Sequence, residues 1–403
     1  MGDTAGPTRR RSVLRGAVRA DGSAADVSIL DGAIEAVGHV AARPGDDVVD
    51  LDGHVLLTAA VEPHAHLDKA FLAELLPNDD GDLLGAIAAM VAGRPQLGVD
   101  ETVVRAERAA RLLATNGFTA VRTHADTTLD HGLRSIEALV EVRRRVADVI
   151  DVEIVALCGW PVTGPGGEPQ RALLRDALAI GADVVGGCPH LDDGGTRAAT
   201  EVYLQIAAEH GVGVDLHTDE TLDASVDGLG ELAAVVSATG FDLPVTASHC
   251  VSLGMKSTDQ QRAIAEAVAA AGIAVVALPA TNLFLQGRGH QQAMPRGLTA
   301  VKALRNAGVV VAAGADNLQD PFNPLGRACP FETAGLMVWT AHLSPADAWA
   351  CVTDMAARAL GRAPLAIAAG APADLVAVPV ASLREAIASG APRRTVWHHG
   401  HRV

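Results

Sequence analysis

The sequence predicts an α/β fold: a parallel (β/α)8 barrel over residues 59–365, with a small β-sandwich built from residues 1–58 and 366–403. Three observations carry this expectation. Eight aliphatic runs alternate with helical stretches through the middle of the chain, the pattern of parallel strands joined by crossover helices. Short strand-like runs with Gly turns crowd both ends. Histidines and acids fall where the barrel runs stop, and barrels of this kind build their sites at the C-terminal strand ends.

Taken in order, residues 12–18, 25–30, 33–38 and 48–53 read as a meander too short to stand alone. Residues 373–378 and 394–400 supply the strands that complete it. The apolar run Val55-Leu56-Leu57-Thr58-Ala59-Ala60 leads into Val61-Glu62-Pro63-His64-Ala65-His66-Leu67-Asp68-Lys69, the first barrel strand and its end. A helix at 99–115, stopped by Asn116-Gly117, precedes the strand Thr119-Ala120-Val121-Arg122-Thr123-His124. Helices at 133–149, 171–180, 200–210, 228–239, 260–271 and 298–307 then lead into strands ending at Cys158, Gly187, His217, His249, Leu278 and Gly314. Residues 85–98 and 316–332 are the longer insertions, both on the loop side where sites form.

At 403 residues the chain suits one large domain with a small appended one. Hydrophobic residues make up 49% and aromatics only 3%, so the core is expected to be Ala, Val and Leu. A net charge of −16 argues against a nucleic-acid binder, which needs a basic face. The five cysteines have no C-x-x-C spacing, which excludes a disulfide framework or zinc ribbon and fits a reducing compartment. Arg9-Arg10-Arg11 has no apolar segment behind it, so no secretory signal is expected, and no run is long enough to span a bilayer. A cytoplasmic homo-oligomer acting on a small molecule is the expectation.

The strand ends carry the chemistry. Residues two apart on a strand share a face, so His64 and His66 present their imidazoles together. Any single histidine is more often structural. The chain has only 15, however, and His64, His66, His124, His190, His217 and His249 all end on one rim with Asp316. The expected set is His64, His66, His217 and Asp316 around one divalent ion per chain, Zn2+ or Fe2+, with a position left open for water. Asp316 ligates and also accepts a proton from that water. Glu220, three residues after His217, is the expected proton shuttle to a leaving amine, preferred over Asp219. His249 is expected across the metal, polarising the atom that becomes an oxyanion.

The segments Pro63-His64-Ala65-His66-Leu67-Asp68, Arg122-Thr123-His124-Ala125-Asp126, His217-Thr218-Asp219-Glu220, Thr246-Ala247-Ser248-His249 and Gly314-Ala315-Asp316-Asn317 together resemble the amidohydrolase superfamily, and more closely its cytosine deaminase branch. The likeness runs over almost the whole barrel. It implies a mononuclear metal site with the roles just given. No lysine ends the fourth strand, which disfavours the two-metal, carbamylated-lysine version. Cytosine deaminases carry a glutamine at the end of the third strand that pairs with the pyrimidine; here Cys158-Gly159-Trp160 stands there. His66-Leu67-Asp68-Lys69 also resembles the s-triazine N-alkyl amidohydrolases. The resemblance therefore implies a hydrolytic deaminase of an aminopyrimidine, aminotriazine or similar cyclic amidine other than cytosine. Lys69, Cys158, Trp160, Gln286 and Asn317 are the expected substrate contacts. The competing readings are a cyclic amide or N-alkylamine hydrolase of the same superfamily, and a barrel that binds a metabolite without catalysis.

Overall fold

The computed structural model describes residues 11–403, so the Arg9-Arg10 part of the basic start lies outside the described residues. Five short strands come first: β1 (Ser12–Arg19), β2 (Ala24–Leu30), β3 (Ala33–Gly38), β4 (Asp47–Asp50) and β5 (Val55–Thr58). Asp31-Gly32 closes the β2–β3 hairpin with positive φ at both residues (51° and 81°), as an Asp-Gly turn requires. The chain's last strands, β14 (Leu375–Val378), β15 (Thr395–His398) and β16 (His401–Arg402), extend the same sheet, with β14 antiparallel to β5.

The expected sandwich is one continuous hydrogen-bonded sheet, ordered β16-β15-β14-β5-β1-β2-β3 with β4 also on β1. The reason lies in β1. Its first four residues pair with β4 and its last two with β5. Between them the register shifts at Gly16, whose φ of 77° bends the strand. Leu14, Ala17, Val27, Ile29, Leu56, Leu375 and Trp397 form the apolar cluster of this sheet.

The barrel strands follow as predicted: β6 (Ala60–Ala65), β7 (Phe118–Thr127), β8 (Asp151–Cys158), β9 (Val184–Gly187), β10 (Val214–Thr218), β11 (Val245–His249), β12 (Ala274–Ala277) and β13 (Val311–Ala313). They lie side by side in chain order, every pair parallel. A bridge between Ala65 and Asp316, with the Asp316 N–H donating to the His64 carbonyl at 3.1 Å, joins the first strand to the chain just after the last.

Crossover helices cover the outside. Helix Val99–Asn116 buries Val103, Ala106, Ala110 and Leu113 at helical spacing and ends on Gly117 at φ 107°. Each buried Val or Leu of this kind contributes about 1.5–3 kcal/mol over leaving it in water. The helix expected from residue 171 begins earlier, as Glu168–Ile180, because Pro169 fits a first turn that needs no N–H from it. Tyr203, Phe118 and Phe331 are the largest fully buried side chains in an otherwise aliphatic core. The first insertion holds helix Leu83–Gly93, N-capped by Asp82. Among the described residues no helix is long and apolar enough to cross a membrane.

Candidate active site

Four strand ends deliver the predicted cluster. His64 lies within β6 and His66 just past it, His217 within β10, His249 at the end of β11, and Asp316 just beyond β13. Asp316 Oδ1 stands 3.7 Å from His64 Nε2 and 3.4 Å from His66 Nε2, and the Nε2 atoms of His66 and His217 are 3.3 Å apart. Metal–nitrogen bonds of about 2.0–2.1 Å in a tetrahedron place neighbouring ligand atoms about 3.3–3.4 Å apart. His64 Nε2 and both Asp316 carboxylate oxygens are buried with no hydrogen-bond partner. Leaving such atoms unpaired costs about 1–3 kcal/mol each, more when charged. The donor set and its orphaned atoms fit a divalent ion. His249 stands on the same cluster, its Nε2 unpartnered and 4.0 Å from Asp316 Oδ2.

The electrostatics agree with that use. Burial, and then the neighbouring charges, hold His64, His66 and His217 well below the usual imidazole range, in the neutral form that binds metal. Burial and then the Asp320 charge push Asp316 up. A dication beside it reverses that balance.

A layer beneath orients the predicted ligands. Ser248 Oγ donates to Asp215 Oδ1 at 3.0 Å, so His64 Nδ1, 2.9 Å from the same Oγ, must be the donor to it. That leaves the His64 Nε2 lone pair for a metal. Asp215 is itself held by Arg122 Nη1 at 3.0 Å, and Arg122 Nε reaches Glu153 at 2.7 Å. Glu62 accepts from the backbone N–H groups of His64 (3.2 Å) and Ala315 (3.0 Å), fixing the seam beside two of the predicted ligands. Burial pushes its carboxyl up to about 8.

The two acids after β10 separate cleanly. Asp219, at φ 52°, turns its carboxylate to the N–H groups of Gly228 (3.0 Å) and Leu229 (2.9 Å), at the start of helix Gly228–Thr239. Glu220 faces the cavity instead, 3.5 Å from His249 Nδ1, and burial followed by the Asp316 charge holds it well above the usual carboxylate range. Asp219, His249 (φ 68°) and Asp316 (φ 65°) all take left-handed backbone, a strain that clusters at functional strand ends.

The cavity above the cluster encloses about 760 Å³ counted out to its mouth. Four of the five predicted substrate contacts line it: Lys69, Cys158, Trp160 and Asn317. Lys69 is tied to Asp126 at 2.7 Å and lies 3.2 Å from His66 Nδ1. Burial pushes the Cys158 thiol up to about 12, so it serves as wall rather than nucleophile. Trp160, 43% exposed, stands at the mouth. Asn317 is held by Thr281 and Asp320. Gln286 does not line the cavity; its amide donates to the Glu220 carbonyl at 3.2 Å, so it steadies the loop instead.

The opposite wall escaped the sequence reading. Helix Leu83–Gly93 presents Leu83, Ile87 and Met90 to the cavity beside Phe322, with Arg94 and Asp126 as polar neighbours. The i, i+4, i+7 spacing was visible, and Asp126, next to last in β7, lies in a segment already singled out.

Known proteins share this architecture. Residues 85–403 match the family described as "Amidohydrolase family". The pterin deaminase of Rhizobium rhizogenes is 35% identical over 360 residues, covering 87% of this chain and 81% of that one. The solved 5-methylcytosine deaminase of Klebsiella pneumoniae, liganded with 5-fluorocytosine, superposes with a TM-score of 0.88 at 30% identity over 97% of both chains. N-isopropylammelide isopropylaminohydrolase of Burkholderia multivorans gives a TM-score of 0.84 at 30% identity over 98% of both. With that match over most of its length, this chain belongs to the amidohydrolase family.

Proposed function

We propose that this chain is a metal-dependent hydrolytic deaminase, releasing ammonia from the cyclic amidine of a small N-heterocycle. The observation that carries the reading is a single cavity into which His66, His217, Asp316 and the buried acid Glu220 all open. Relatives described as deaminases of pterin and 5-methylcytosine support it. His64, His66, His217 and Asp316 are assigned to one Zn2+ or Fe2+ per chain. Such an ion supplies Lewis acidity and brings the pKa of a water down to about 7.

Glu220 takes one proton from the attacking water and delivers it to the ring nitrogen. The second water proton, released from the new hydroxyl, passes through Glu220 and Asp316 to the departing amine, which leaves as ammonia. The raised proton affinity of Glu220 suits that task, and Asp219 is already engaged by the helix it caps. His249, between Glu220 and Asp316, faces the oxygen that gains charge at the attacked carbon. Asp316 serves as a second proton acceptor. Loss of ammonia from the tetrahedral carbon completes the reaction. Residues 59–365 form the catalytic unit and 1–58 with 366–403 the second, since β1–β5 and β14–β16 share one sheet, joined at the β5–β14 pair, and the barrel strands share another.

The preferred substrate is a two-ring aminoheterocycle of the pterin kind. The wall of Leu83, Ile87, Met90 and Phe322 gives apolar contact beyond the amidine ring. Arg94, whose Nε has no partner, and Asp126 are the polar groups on that side. A screen of ammonia release over pterins, aminotriazines, cytosine and 5-methylcytosine tests this, with pterins expected to give the highest kcat/KM. Cytosine or 5-methylcytosine as the best substrate refutes the two-ring preference. Release of an alkylamine from N-alkylammelides favours the second reading, which rests on the likeness to the Burkholderia enzyme.

A further inference from the structure

At the far end of the barrel, where β8 begins, a second group of metal-ligating side chains joins the barrel to the terminal sheet. His398, the last residue of β15, is 2% exposed. Its Nδ1 lies 3.2 Å from Asp374 Oδ1, which also accepts the His399 N–H at 2.7 Å. An ionised carboxylate only accepts, so Nδ1 carries the proton and Nε2 presents a lone pair. That Nε2 is buried with no hydrogen-bond partner. It points toward Asp151 Oδ1 at 3.8 Å, beyond hydrogen-bond reach. A carboxylate behind one imidazole nitrogen and an open lone pair on the other is how proteins orient a metal-binding histidine.

His399 completes the group. Consecutive strand residues point to opposite faces. Here His399 turns left-handed (φ 46°) ahead of Gly400 (φ 74°), and its ring comes within 4.1 Å of the His398 ring, centroid to centroid. Ligand atoms of Asp151, His398 and His399 all lie within 4.8 Å of one another. Arg362 occupies Asp151 Oδ2 at 2.9 Å and leaves Oδ1 available. His399 is exposed, so water can fill the remaining positions.

We propose that Asp151, His398 and His399 bind a second divalent transition-metal ion, of the borderline class that imidazole and carboxylate suit, clamping the terminal sheet to the barrel floor. This site is independent of the reaction assigned to the rim.

The test is metal counting on the full-length protein. Wild type and His399→Asn are each incubated with a small molar excess of Zn2+, desalted and analysed for zinc per chain. Asparagine suits the left-handed turn, so the variant keeps the hairpin while removing the ring. The expected result is one zinc fewer per chain in His399→Asn, with kcat/KM unchanged. Asp151→Asn, which alters a different element, is expected to lose the same ion. Equal zinc content in wild type and both variants overturns the proposal.

Discussion

The rim of the barrel and the layer directly beneath it are both built from buried polar and ionisable residues, to opposite ends. Beneath the rim, Arg122, Glu153, Asp215, Thr246 and Ser248 satisfy one another in a connected network. On the rim, His64 Nε2, His217 Nδ1, His249 Nε2 and both Asp316 oxygens are left without partners. His124 stands at the border: its ring lies 3.9 Å from that of His64, and neither of its nitrogens is bonded. The contrast separates support from function. Paired buried charges give a rigid floor, whereas unpaired ones persist only where something else completes them.

The largest expected effect comes from taking an imidazole off the rim. His217→Ala should lose both bound metal and activity while remaining folded, read by elemental analysis beside circular dichroism. Full metal content in that protein would break the assignment of the rim. Glu220→Gln comes next: metal and fold kept, turnover down by about 10²–10⁴-fold. A nearly active variant would move the shuttle to another group.

The floor should respond in stability instead. Arg122→Met leaves Asp215 and Glu153 facing a neutral side chain, and loss of one member of a buried pair typically costs about 3–5 kcal/mol. Urea denaturation reads that change. Unaltered stability with lost activity would erase the distinction between the layers.

A smaller effect is expected at Asp126. Burial raises its pKa, but Lys69 and Arg94 outweigh burial and bring it down to about 2. A depressed carboxylate contributes stability that is present above its unfolded value and lost as pH falls toward about 2. The wild type should therefore lose stability over that acid range more steeply than Asp126→Asn. The smallest effect is Met90→Ala, expected to lower kcat/KM for two-ring substrates by about tenfold, with single-ring substrates little changed.

Much of this was legible in the chain itself. Alternating aliphatic runs and helices give parallel strands in order, and parallel strands point all their C-terminal ends one way. His64, His66, His217, His249 and Asp316 could thus be grouped without coordinates. Glu220 over Asp219 was a preference until Asp219 was seen capping helix Gly228–Thr239, a contact set by where the next helix starts. The cavity wall was hidden for a different reason. Leu83, Ile87 and Met90 make the same apolar stripe as any helix packed on a barrel, and only tertiary placement turns it over the mouth. Gln286 was misplaced likewise, since nothing in its neighbours says that its amide meets the Glu220 backbone.

The junction between Ala65 and Asp316 bears on how the protein is made. The first two predicted ligands emerge from the ribosome early, but the carboxylate that joins them is about 250 residues later in the chain. Domains fold largely as units during synthesis. Until β13 is translated and docks on β6, the nascent barrel has two open edges and an incomplete ligand set. An ion held by the proposed ligand set would therefore be loaded only after residue 316 has been made, and truncated chains ending before residue 316 should emerge both metal-free and prone to pair through their exposed strands.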